Sequence, residues 1–168
     1  MGVSGCGKST VGQALADTLH ARFIDGDDLH PLANKTKMAA GIPLDDEDRW
    51  PWLDLVGSAL AEDTPLSIDG VTQASGTVVA CSALKRKYRD RLLAAAPGTM
   101  FVHLTGPRQV LAQRMGSRGS HFMPLALLDS QLATLEQLQP DEPGKSYSIE
   151  VSIDYLVAKI IEDFALNA

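Results

Sequence analysis

The sequence is short of cysteine, of basic charge and of long apolar runs, and each shortage removes a class of protein. Its two cysteines, Cys6 in a glycine-rich stretch and Cys81 in an apolar one, form no spaced disulfide framework and have no Cys or His neighbours at metal-ligand spacing. Both suit a reducing compartment. Lys and Arg total 15 against 21 Asp and Glu, a net charge of -6, so no general attraction draws the chain to nucleic acid or to an anionic membrane surface. Any phosphate binding must be local. No apolar run approaches the roughly 18 residues that span a bilayer, and no charged segment followed by an apolar one opens the chain. The expectation is a soluble, cytoplasmic protein. Internal repeats, low-complexity tracts and long linkers are missing too, so one domain over residues 1–168 is expected.

What is present begins at the second residue. Gly2-Val3-Ser4-Gly5-Cys6-Gly7-Lys8-Ser9 has Gly first and sixth, then Lys and Ser, a pattern that ordinary residue frequencies produce on the order of once in 200 chains of this length. Its chemistry is that of a phosphate cradle. Gly5 and Gly7 permit positive φ and close backbone approach, so successive N–H groups point inward, and the following helix adds its dipole. Lys8 would bridge the β- and γ-phosphates of ATP, and the Ser9 hydroxyl would take a place on Mg²⁺. Gly2, Ser4, Gly5, Cys6, Gly7 and Thr10 complete the candidate nucleotide-binding set. The alternative is a glycine-rich turn before a helix that holds no ligand.

The rest of the chain alternates short apolar runs with helical spacing. Val11, Leu15 and Leu19 predict a helix over 8–19, and Phe23-Ile24 a strand stopping at Asp25-Gly26-Asp27. A helix over 31–40 has Pro31 in its first turn and Gly41 as a left-handed stop; another over 45–61 starts acidic and turns Trp52, Leu55 and Val56 inward. Residues 62–76 read as a loop with one helical turn. Strands are expected at 77–81, 100–104 and 150–153. Helices are expected from a Ser82 cap to about Ala96, from Pro107 through Arg114, along Leu125, Leu128, Leu132 and Leu135, and over 155–166. This alternation predicts an α/β fold, a mostly parallel sheet with helices on both faces. One irregularity stands at the start. A phosphate-binding loop should follow a buried strand, yet only Met1 precedes Gly2. The expectation is therefore that the first strand is missing from this chain, that Met1 is an internal methionine, and that two neighbouring strands lose backbone partners.

The surroundings of the loop narrow the chemistry. A GTPase would need Asn-Lys-x-Asp after a strand, and Asn34-Lys35-Thr36-Lys37 lacks the Asp and falls in a predicted helix. A mechanical ATPase usually has a downstream apolar strand ending in Asp, and here that strand ends in Cys81-Ser82. The acids come early instead. Asp25 and Asp27, two apart at a strand end, can reach a metal shell and a substrate hydroxyl, as phosphoryl transfer to a small alcohol requires.

Several stretches together resemble the gluconokinase family of small phosphate-binding-loop kinases over nearly the whole length: M-G-V-S-G-C-G-K-S-T at 1–10, F-I-D-G-D-D-L-H-P at 23–31, G-I-P-L-D-D-E-D-R-W-P-W-L at 41–53, C-S-A-L-K-R-K-Y-R-D at 81–90 and G-S-H-F-M at 119–123. The resemblance implies a relation to shikimate and adenylate kinases, a phosphate-binding-loop NTPase fold of strand order 2-3-1-4-5 with a lid at about 114–124, a homodimer, and ATP-dependent phosphorylation of the 6-hydroxyl of D-gluconate. It also implies site roles. Asp27 would orient the attacking hydroxyl and Asp25 would support Mg²⁺. Arg49 and Arg89 would grip the substrate carboxylate, with a surface ion pair and a solvated helix face as the alternatives. His30, His121, Lys85 and Trp52 would contact the polyol, although Trp52 equally suits packing. Arg114 would lie against adenine, and Arg118 would reach the transferred phosphate. The competing readings are a kinase for another sugar acid or for shikimate, and a non-catalytic ATP-binding regulator.

Overall fold

The computed structural model describes residues 1–62, 66–68, 71–73, 76–116 and 125–166, with the backbone alone at 66–68 and 71–73. Helix α1 (Lys8–Leu19) leads into strand β1 (Arg22–Asp25) and a 3₁₀ turn (Gly26–Leu29), then helices α2 (Leu32–Ala39) and α3 (Asp46–Ala61). Strands β2 (Leu66–Ile68) and β3 (Val71–Gln73) precede β4 (Thr77–Ala80) and helix α4 (Arg86–Ala95). Strand β5 (Phe101–Thr105), helices α5 (Arg108–Gly116) and α6 (Leu125–Thr134), strand β6 (Gly144–Ser148) and helix α7 (Ile153–Phe164) complete the order.

The central architecture is two parallel strand pairs. β1 lies beside β4 with Phe23 opposite Val78, and β5 lies beside β6 with Leu104 opposite Tyr147. Successive strand residues face opposite ways, which sorts the core into two layers. Val78, Val102 and Leu104 pack with the buried faces of α1, α5, α6 and α7 around Leu15, Leu111, Leu128 and Ile160. Val79 and Phe101 pack with α3 and α4 around Trp52, Val56 and Leu92. In the expected order, β1 and β4 are strands 2 and 3, and β5 and β6 are strands 4 and 5.

The place of strand 1 is taken by Met1 and Gly2. The Met1 nitrogen donates to the Val102 carbonyl at 2.5 Å, the Leu104 N–H donates to the Met1 carbonyl at 2.9 Å, and the Gly2 N–H donates to the Ser82 carbonyl at 3.2 Å. These bonds tie β5 to the end of β4. Behind them lies a cavity of about 700 Å³ lined by Val11, Leu15, Val79, Leu92, Val102 and Ile160, among others. Folded interiors hold few voids larger than a water molecule, so a hole of this size, lined by residues of both strand pairs, is a gap in the core.

Local readings fare unevenly. Helix α1, β1 and the Gly41 stop, at φ 72, agree with the sequence. Residues 62–76, expected as a loop with one helical turn, contain the antiparallel pair β2–β3. Each strand is three residues long, too short for its apolar alternation to stand out in the sequence. Ser82 does not cap α4. That helix starts four residues later, and the Glu136 carboxylate, from beyond α6, accepts the Arg86 N–H at 2.5 Å. Leu55 is exposed on α3 instead of buried. The last strand is Gly144–Ser148, not 150–153, because its polar Gly-Lys-Ser-Tyr-Ser run buries only Tyr147 and carries no apolar signal. Joining Met1 to a preceding segment of five alternating Val and Ile residues should fill the cavity and pair both strand edges. Thermal melts of the extended and original chains should differ by several degrees in favour of the extension; an unchanged or lower Tm would mean that the cavity does not accept a strand.

Candidate active site

The loop is built as a cradle. Gly5 and Gly7 adopt φ 80 and φ 90, conformations that other residues rarely take. A Cβ on Gly5 would lie 2.7 Å from the Leu111 carbonyl, so the back of the loop rests on α5. At Gly7 the nearest atom to such a Cβ is Arg114 Nη1 at 4.0 Å, so that side is open. Helix α1 begins with Lys8, and its N-cap Gly7 supplies no side chain. The first N–H groups of the helix therefore lack intrahelical partners and a capping oxygen, which leaves them for an anion. Lys8 Nζ donates to the Val3 carbonyl at 3.1 Å, and the Ser4 N–H is held at 2.6 Å by Gln131 Oε1 from α6. Cys6 is buried beneath the loop, whereas Thr10 is exposed.

A continuous set of contacts runs from this cradle to the cationic side chains. The Ser9 hydroxyl donates to Asp25 Oδ2 at 2.6 Å, and Asp25 Oδ1 accepts the Asp27 N–H at 3.1 Å, which closes the 3₁₀ turn. The exposed Asp27 carboxylate makes no hydrogen bond among the described residues. Trp52 Nε1 donates to the Gly26 carbonyl at 2.7 Å, and the Trp52 ring stacks on His30 with centroids 4.3 Å apart. Burial lowers the pKa of His30, so the ring favours its neutral form. Asn34 links His30 to the Asp48 carbonyl at the start of α3. Asp45 and Asp48 form a capping box there, and Lys37 pairs with Asp48 at 2.6 Å.

The cations divide into three groups. Arg49 is half-buried, its Nη1 bonded to the Leu44 and Asp45 carbonyls and its guanidinium 5.8 Å from the centre of the Tyr88 ring. Its Nε and Nη2 donors have no partner among the described residues, a geometry suited to a carboxylate. Lys85 is bound to Asp46 at 2.9 Å, and Asp46 also accepts from Lys87 and Tyr88. These partners hold the Asp46 carboxyl far below the usual range. Arg89 is fully buried, paired through Nη2 to Glu142 at 2.9 Å and bonded to the carbonyls of Ala83 and Glu136.

Two sequence expectations therefore change. Arg89 fastens the turn after β4 to the segment after α6, and its guanidinium is spent on those partners instead of facing a substrate. Trp52 is 2% exposed and supports His30 and Gly26 instead of stacking on a sugar. Arg114 lies beside Gly7 and donates to the Ile149 carbonyl at 2.8 Å. Arg118 and His121 fall outside the described residues, as does most of the lid segment. The sequence does not mark Asn34, Gln131 or Glu142 as site-forming residues. The i to i+4 spacing of His30 and Asn34 was the one signal on offer.

A glycine cradle at a helix start, a hydroxyl bonded to a strand-end acid, a second acid beside it and an arginine with open donors define a phosphate-binding-loop phosphotransferase. The shikimate kinase family model matches residues 4–148. The thermosensitive gluconokinase of Escherichia coli (strain K12) is 42% identical over 162 residues, 96% of this chain and 81% of that one. The gluconokinase of Gluconobacter oxydans (strain 621H) is 45% identical over 98% of this chain and 88% of its own. A crystal structure of a gluconokinase from Sinorhizobium meliloti 1021 superposes with a TM-score of 0.81 at 43% identity, covering 98% of this chain and 93% of that one. Shikimate kinase from Aquifex aeolicus, at 15% identity and a TM-score of 0.61, shares the fold. The chain belongs to the gluconokinase family within the shikimate kinase group of small kinases.

The Arg89–Glu142 pair makes a test of the scaffold possible. Arg89 is the main cause of the lowered Glu142 pKa, so the pair's stabilisation is complete above the ordinary Glu range and fades as acid protonates the folded state. Replacing Glu142 by Ala strands a buried guanidinium and should cost about 3–5 kcal/mol in urea unfolding. Its loss should also flatten the acid limb of the stability profile.

Proposed function

We infer that this chain transfers the γ-phosphoryl group of ATP to the 6-hydroxyl of D-gluconate, giving 6-phospho-D-gluconate and ADP. The observation that carries this reading is the 2.6 Å bond from Ser9 to Asp25, which fixes the acceptor-side acids against the phosphate cradle. The N–H groups of the cradle and Lys8 hold the phosphates, and Arg114 lies where the nucleotide leaves the loop. Asp27 orients the attacking hydroxyl. As the new O–P bond forms and the bond to the β-phosphate oxygen breaks, the hydroxyl proton passes to the Asp27 carboxylate. The loose transition state gives that proton transfer a small share of the rate, and positioning a large one.

Gluconate is a polyol bearing one negative charge. The open donors of Arg49 suit its carboxylate, and His30 suits a hydroxyl. Lys85 joins them by exchanging Asp46 for the substrate, a change that keeps the ammonium paired. Arg118 and His121, by family resemblance, come from the lid to the transferred phosphate and the polyol.

The donor set fits Mg²⁺. Among the described residues no group of three or more His, Cys, Asp or Glu is arranged to hold a metal. A hydroxyl and a single carboxylate, Ser9 and Asp25, match an ion that keeps its waters and takes its other ligands from phosphate. When bound, Mg²⁺ would neutralise charge on the phosphates. No helix among the described residues is long and apolar enough to cross a membrane, which accords with a cytoplasmic enzyme acting on soluble substrates. Exposed Leu32, Met38 and Ile42 supply apolar surface for a homodimer.

A coupled ADP-release assay over gluconate, idonate, shikimate and nucleoside monophosphates should give the highest kcat/KM with gluconate. Arg49→Ala should raise KM for gluconate at least tenfold with KM for ATP unchanged, and Asp27→Asn should lower kcat at least tenfold. Faster turnover of shikimate would move the chain to the neighbouring specificity, and no substrate-stimulated turnover would favour a regulator.

A further inference from the structure

The side chain of Asn34 is 3% exposed and faces two neighbours with one atom. Its Nδ2 donates to the Asp48 carbonyl at 2.8 Å and lies 3.2 Å from Nδ1 of His30. A backbone carbonyl can only accept, so the atom facing Asp48 must be the amide nitrogen, and the orientation of the amide is settled. The same nitrogen faces the imidazole. Its second hydrogen therefore needs a lone pair on Nδ1, and the single proton of the neutral ring is left to Nε2.

The ring has little freedom to escape this arrangement. It lies 13° from parallel with the Trp52 ring, which is anchored in turn by its own bond to Gly26. Turning the imidazole over would place a C–H against the amide of Asn34. Protonating Nδ1 would set two donors face to face. On the other edge, Nε2 makes no hydrogen bond among the described residues and is not sealed from solvent, so its proton is available to a ligand.

We propose that Asn34 sets the tautomer of His30, so that the ring presents Nε2–H as a fixed hydrogen-bond donor to a hydroxyl oxygen of the acceptor substrate. Asn34 is a positioning residue in this scheme, and His30 is a donor and not a proton acceptor. The donor role rests on the reading of this site as the gluconate site; the tautomer does not. A donor at this point complements the Asp27 carboxylate, which can only accept while ionised. Together they require a hydroxyl that accepts from one side and another that donates to the other, a demand that a polyol meets and that a hydrocarbon chain cannot.

The test is a long-range ¹H–¹⁵N spectrum of the histidine rings in the whole labelled protein near neutral pH, with the His30 signals assigned by their loss in His30→Gln. The expected pattern is a protonated Nε2 and an unprotonated Nδ1. In Asn34→Asp the carboxylate faces Nδ1 as an acceptor, so the proton should move to Nδ1, with a rise of at least tenfold in KM for gluconate and no change in KM for ATP. A ring protonated at Nδ1 in the unsubstituted protein overturns the assignment without any variant. A tautomer that stays on Nε2 in a folded Asn34→Asp also overturns it. Should the tautomer switch as expected while Asn34→Asp and His30→Gln both keep the original KM for gluconate, the donor role falls and the lock stands.

Discussion

Everything in this molecule hangs from three backbone hydrogen bonds made by Met1 and Gly2. They join the β1–β4 pair to the β5–β6 pair at the point where the phosphate-binding loop departs. The loop gets its direction there, its back rests on α5, and α1 carries the loop's last residues toward Asp25 on the neighbouring strand. Behind these bonds lies a cavity instead of a packed strand. The site is thus assembled at the rim of that cavity.

What makes up for this is a set of polar ties on the other side of the site. Arg89 and Glu142 are both buried, and their mutual bonds, with the carbonyls of Ala83, Leu84 and Glu136, clamp the turn after β4 to the segment that follows α6. Gln131 reaches from α6 to the loop itself. A charge taken out of water must be paired, and here the pairing serves to hold two distant stretches of chain in register. By contrast, Asp27 is exposed, and half-buried Arg49 keeps its Nε and Nη2 donors without a partner among the described residues. The division between spent and available charge is what separates scaffold from site.

Much of this was legible in the sequence. The loop, α1 and the acids at the end of β1 follow from short-range rules, because glycine freedom, helical spacing and strand ends are local properties. The alternation of elements gave the parallel α/β class before any coordinates. Other features depend on tertiary partners that no local pattern encodes. The polar strand β6 is recognised by its pairing with β5, and the start of α4 by a carboxylate fifty residues further on. Arg89 sits in a basic run, Lys85 to Arg91, that reads as a solvated helix face, and only Glu142 across the fold makes it a buried clamp. Asn34 looked like part of a failed guanine motif, and its role appears only when α3 brings the Asp48 carbonyl to it.

The central claim is that the cradle, the paired acids and Arg49 act on one acceptor. ³¹P NMR of the protein with ATP, Mg²⁺ and D-gluconate tests it most directly. The account predicts that the γ-phosphate signal is replaced by that of a phosphomonoester coupled to the C6 protons of gluconate, in step with ADP. Release of inorganic phosphate alone, or a spectrum unchanged by gluconate, would contradict it.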